Sequence, residues 1–119
     1  MDKVQPIVIT IVETGKRYEL DFSRDTVRFC EARKFKIAEA IDFPATHVPD
    51  LFFYSFRKNH KNVSKAETDK ILEKELKGLD GAFLERLGSL YNQAATSLVL
   101  RIDDDEDEES KNARVTVEL

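Results

Sequence analysis

The sequence predicts an α+β domain: an N-terminal β-hairpin packed against a bundle of four to five short helices, with an acidic loop and a candidate C-terminal strand behind them. Three observations predict it. The first apolar segment alternates with a period of two. Between residues 23 and 97, apolar residues recur three and four apart behind typical helix-start residues. A chain of 119 residues suits one core, burying roughly two-thirds of the surface its unfolded chain exposes. Residues 1–102 are read as that single domain and residues 103–119 as an acidic segment followed by a tail or strand.

Pro6 to Glu13 (PIVITIVE) is β-branched and largely alternating, and Tyr18 to Phe22 (YELDF) follows across Thr14-Gly15-Lys16-Arg17, a hairpin signal. In the second strand Tyr18, Leu20 and Phe22 share one face while Glu19 and Asp21 share the other, so one side is expected buried and the other wet. Ser23 then stands at an N-cap position with Asp25 in the first turn, predicting a helix from Arg24 to Arg33. Its few apolar residues, Val27, Phe29 and Cys30, suit a surface helix laid on the hairpin. Lys36 to Ile41 forms a second short helical segment before Pro44, and His47-Val48-Pro49 reads as an extended connector.

An aromatic helix is expected from Pro49, suited to a first helical position, to Lys61. Ser64-Lys65-Ala66-Glu67 matches a capping box and opens a helix that turns Thr68, Ile71, Leu72 and Leu76 inward and ends near Gly78. From Asp80 a last helix presents Phe83, Leu84, Leu87, Leu90, Tyr91 and Ala94 at three- and four-residue spacing and ends before Ser97. Ser97 to Ile102 either continues that helix or forms a short strand. Arg114 to Leu119 alternates, with Val115, Val117 and Leu119 on one side, and reads as a strand paired with the hairpin edge or as a disordered terminus.

Composition narrows the function. The single Cys30 excludes an internal disulfide and reads as a small buried residue in a reducing compartment. The N-terminus lacks the apolar core of a secretory signal, and no apolar run approaches the roughly 18 residues that span a bilayer, so a cytoplasmic protein without membrane contact is expected. The net charge of −4 conceals a division: residues 103–109, DDDEDEE, carry seven negative charges, and with those set aside 19 basic residues face 16 of the 23 acidic ones. Such a run is a solvated loop, or an acidic lure for a basic surface on this chain or on a partner.

No motif for phosphate, dinucleotide or metal binding occurs, and four glycines leave little for a loop that must approach a ligand closely. Cys30, His47 and His60 would make a metal site or a Cys–His pair only if distant segments converged. The acidic run fails as an EF-hand, which needs Gly at its sixth position and Glu at its twelfth, where Glu108 and Arg114 stand. No catalytic residue and no cofactor is therefore expected. The basic cluster Arg57-Lys58-Asn59-His60-Lys61 suggests nucleic acid, but positive charge at a helix C-terminus is favoured by the helix dipole alone, so that reading stays an alternative and no nucleic-acid partner is expected.

Surface apolarity remains. Four of the chain's eleven aromatics fall between Phe52 and Phe56, and Leu51, Phe52, Phe53, Ser55 and Phe56 fan over an arc of roughly 200°, with Tyr54 on the far side. That exceeds one contact face, so Leu51, Phe52, Phe53, Tyr54 and Phe56 are expected to form either the core support or the edge of a protein-binding surface, with Phe35 and Phe43 beside them.

This order of elements, an apolar helix with a basic end (LFFYSFRKNHKNV) followed by a Ser-x-x-Glu helix ending in Ile-Leu (SKAETDKIL), resembles the tail assembly chaperones of long-tailed bacteriophages and prophages. The resemblance spans residues 8 to 95; the acidic run and the RVTVEL end depart from the family pattern. It implies a non-enzymatic protein of the bacterial host cytoplasm, absent from the finished virion, that coats the aggregation-prone tape measure protein, with the tail tube protein recruited by a longer frameshifted form. Self-association is implied too, for which strand edges at 6–13 or 114–119 offer a route. The alternative partner is a host protein bound by a small regulatory adaptor.

Overall fold

The computed structural model describes residues 3–98 and is an α+β domain, a two-stranded antiparallel hairpin followed by helices. The acidic run and the candidate strand at 114–119 lie outside the described residues.

Strand β1 (Ile7–Thr10) pairs with β2 (Arg17–Leu20) in the register Ile7↔Leu20 to Thr10↔Arg17. Ile11 and Lys16 extend the ladder by a 2.7 Å bond, and Gly15, at φ +75, closes the turn by donating to the Ile11 carbonyl. A side chain at that φ would strain the backbone, which is why glycine serves there. The strands are shorter than the alternating pattern suggests, but the expected face is dry, with Tyr18, Leu20 and Phe22 all buried. Asp21 departs from expectation: it is buried rather than wet, because Lys58 reaches it at 2.6 Å and supplies the charge partner a buried carboxylate needs.

Helix α1 (Arg24–Ala32) starts as expected, with the Ser23 hydroxyl accepting from the Thr26 N–H, and buries Thr26, Val27 and Cys30. It ends on Lys34, which takes a left-handed φ of 63 so that the amides of Arg33 and Phe35 return to the Cys30 carbonyl. Helix α2 is a single turn (Glu39–Asp42).

The expected extended connector at His47-Val48-Pro49 is instead helical. Helix α3 runs from Pro44 to Tyr54, beginning five residues before the expected start and ending seven before the expected stop. Pro44 occupies the first helical position, where its missing N–H is one the helix leaves unpaired anyway. Pro49 withholds a donor from the Ala45 carbonyl, but Ala45 is exposed and water reaches it, while burial of Leu51, Phe52 and Tyr54 carries the helix onward.

Beyond Tyr54 the chain turns. The Ser55 hydroxyl bonds back to the Phe52 carbonyl, and Phe56 and Arg57 donate three residues back. The basic cluster is thus a turn laid against β2 and not a helix end: Asp21 N–H donates to the Ser55 carbonyl, Asn59 to the Glu19 carbonyl, and Glu19 N–H to His60 Nε2 at 2.9 Å. These bonds cover the outer edge of β2, which would otherwise offer unpaired backbone groups.

Helix α4 (Lys65–Lys70) opens with Ser64 accepting from the Glu67 N–H at 3.1 Å and runs into a π-helical turn, Ile71–Glu75. Thr68, Ile71 and Leu72 face inward as expected, and the chain leaves through left-handed Lys77 and Gly78. Helix α5 (Gly81–Ala95) is capped by Asp80, whose carboxylate accepts from the Phe83 N–H at 2.8 Å, and buries Leu87, Leu90, Tyr91 and Ala94. Its Gln93 exchanges two hydrogen bonds with Val4, and Arg86 donates to the carbonyls of Gln5 and Pro6, which lashes α5 to the segment entering β1. Thr96 to Leu98 form a turn, so the segment from Ser97 does not begin by continuing the helix.

Candidate functional site

The residues expected to meet a partner form the centre of the core. Leu51, Phe52, Tyr54 and Phe56 are between 0% and 7% exposed, and only Phe53 is half-buried. Tyr54, placed on the far side by the helical arc, is buried because α1 lies over it: its ring meets Phe29 at 6.0 Å and Phe35 at 5.3 Å, edge to face. Phe52 and Phe56 stack edge-on at 5.1 Å, and Phe56 meets Tyr18 of the hairpin at 5.3 Å. Helix α3 is thus covered on both sides. Leu51, Phe52, Tyr54 and Phe56 thus support the core, and Phe53 packs partly buried against it.

The open apolar surface lies elsewhere. Along one side of α5, Gly81, Leu84, Glu85, Gly88, Ser89 and Asn92 form a stripe that, with Ile37, Ala38, Ala40 and Ile41, walls a groove of about 550 Å³ floored by Leu51. The groove exists because of what α5 lacks: a Cβ at Gly81 or Gly88 would meet nothing within 4 Å. At its α2 wall Ile41 is 81% exposed, and Phe43, just beyond α2, is 62% exposed, both large apolar groups in water. The α2 wall is held by the Glu39 carboxylate, 3.1 Å from His47 Nε2 on α3, with the rings of Phe35 and Phe43 edge-on to the imidazole. His47 Nδ1 is buried without a hydrogen-bond partner among the described residues. Phe43 was placed beside the aromatic helix from sequence; the glycine stripe was not, although Gly81, Gly88 and Ser89 share a helix face and small residues there signal a missing side-chain layer.

A second, polar cleft of about 290 Å³ opens where α1 begins, lined by Ser23, Asp25, Thr26, Phe29, Arg57, Lys58 and Lys61. The Arg57 guanidinium lies 3.7 Å from the centroid of the Phe29 ring, a cation–π contact that fixes the side chain at the cleft wall.

The groups that could carry chemistry sit in different settings. Burial pushes the Cys30 thiol from an ordinary value near 9.0 up to about 12, with a backbone hydrogen bond and then Arg57 pulling the other way, so at neutral pH the thiol keeps its proton. Burial likewise pushes the Tyr91 phenol up to about 12 and raises that of Tyr54, where Asp50 adds to the effect. His60 is engaged with the Glu19 N–H and lies edge-on to Tyr18, and His47 is engaged with Glu39. Among the described residues, no three His, Cys, Asp or Glu side chains are grouped to hold a metal ion, and no helix is long and apolar enough to cross a membrane.

Comparison with the curated proteins gives no match, and comparison with the solved structures gives none. Residues 1–119 match one family across their whole length, and the chain belongs to that family, described as Domain of unknown function (DUF5055).

Proposed function

We propose that the protein is a non-catalytic chaperone of the tail assembly type, holding an apolar segment of a phage tape measure protein in the α2–α5 groove in the bacterial host cytoplasm until the tail tube protein replaces it. The observation that carries the reading is the groove itself, apolar, open to solvent and lined by exposed Ile41, with exposed Phe43 two residues further along the chain. A segment with apolar residues at helical or extended spacing would bury those two side chains and Leu84 while the aromatic centre behind them stays closed. Glu85 and Asn92 at the margin leave room for a polar rim. Self-association through the outer edge of β1 belongs to the same proposal.

Co-expression with the tape measure protein encoded at the same locus tests it. The expected result is a co-purifying complex and a larger soluble fraction of the tape measure protein. Neither appearing would remove the reading in favour of an adaptor for a host protein, which would use the same groove. A nucleic-acid role draws less support, because Arg57 already covers a face of Phe29 that a base would need; a shift of DNA or RNA mobility at low salt would revive it.

A further inference from the structure

The cleft at the start of α1 is short of negative charge. Its lining holds three cations, Arg57, Lys58 and Lys61, against one carboxylate, Asp25, which turns toward Arg28 at 3.9 Å. Lys58 is balanced by Asp21 at 2.6 Å. Arg57 and Lys61 have no carboxylate within 4.0 Å among the described residues. The cleft therefore keeps an uncompensated positive field, focused by walls that include Phe29.

The far end of the domain lies beside this cleft. Arg24 Nε donates to the Ser97 hydroxyl at 3.3 Å, and Arg24 stands between Ser23 and Asp25, two of the cleft's lining residues. The chain thus leaves α5 within the length of one arginine side chain of the first turn of α1, which supplies Asp25 and Thr26 to the cleft. Asp103, the first residue of the acidic run, follows Ser97 by six residues, a reach of about 20 Å when extended. Seven carboxylates tethered that closely act at an effective concentration on the order of millimolar.

We propose that the acidic run Asp103–Glu109 docks in cis on the cleft formed by Arg57, Lys58 and Lys61, and thereby shields it from other anions. The tether and the opposite charges carry the inference together. It is independent of the α2–α5 groove and of what binds there.

Amide chemical shifts of the full chain test it. The comparison variant carries D103N, D104N, D105N, E106Q, D107N, E108Q and E109Q, which leave every core residue untouched. The expected result is that neutralisation shifts the amides of Ser23–Thr26 and Arg57–Lys61 while those of Val8 and Gly88 stay in place. About 0.5 M salt should produce the same shifts in the natural chain, and dilution should not. A free DDDEDEE peptide should then bind the neutralised variant at least tenfold more tightly than the natural chain. Unmoved cleft amides, or equal peptide affinity for both chains, would overturn the proposal. Shifts that vanish on dilution would also overturn it, because they would place the acidic run on a second copy.

Discussion

The aromatic centre around α3 and the groove between α2 and α5 share one floor, Leu51, yet differ in almost every other respect. The centre is dense: Phe52, Phe56, Tyr54, Tyr18 and Phe35 interlock edge to face and admit almost no solvent. The groove is sparse, its α5 wall broken by two glycines and its neighbourhood left with Ile41 and Phe43 in water. Aromatic density in a sequence therefore marks where a small domain closes. The open groove shows instead as missing side chains beside a few stranded apolar ones.

The largest expected effect lies in the centre. Phe52→Ala removes a fully buried ring and should cost about 3–5 kcal/mol, close to the whole stability of a small domain, measured by urea unfolding. A cost below about 1 kcal/mol would mean that α3 is not the keystone.

A second test exploits the charge-excluding character of the same core. The Cys30 thiol and the Tyr91 phenol are both raised to about 12 by burial, so the folded state holds their protons more tightly than the unfolded chain. Their contribution is fully present below about pH 9 and is lost as pH climbs toward 12. Thermal unfolding followed from pH 8 to 11.5 should show a progressive fall in Tm, and Cys30→Ala should remove part of the slope. Alkylation of Cys30 at pH 8 should be slow in the folded chain and fast in urea.

These contrasts bear on how much was legible beforehand. The hairpin, its buried face, the caps at Ser23 and Ser64 and the helix start near Asp80 were readable because each depends on residues a few positions apart. The passage of α3 through Pro49 was not, since the local preference of proline is overridden by burial of Leu51, Phe52 and Tyr54, which depends on distant elements. The burial of Tyr54 was hidden for the same reason, as no helical wheel reveals a cover by α1. The groove is less legible still, being made where segments some forty residues apart fail to fill a space. Asp21 was misjudged because its partner Lys58 arrives from another turn.

The groove side predicts smaller effects of the opposite kind. Gly88→Ala replaces a mid-helix glycine facing open space, so it should stabilise the domain by about 0.5–1 kcal/mol. Gly88→Leu should also fold while filling the groove. A loss of stability in the alanine variant would show that something already occupies that face. Smallest of all, Ile41→Glu and Phe43→Ser should each change unfolding free energy by no more than about 0.5 kcal/mol, since both side chains are already in water.

The decisive measurement combines that neutrality with binding. The chain carrying both Ile41→Glu and Phe43→Ser should keep its Tm within a few degrees and bind the tape measure protein from its own locus at least about tenfold more weakly than the unchanged chain does. Full affinity in a variant with unchanged Tm would contradict the account and return the binding surface to some other face of the domain.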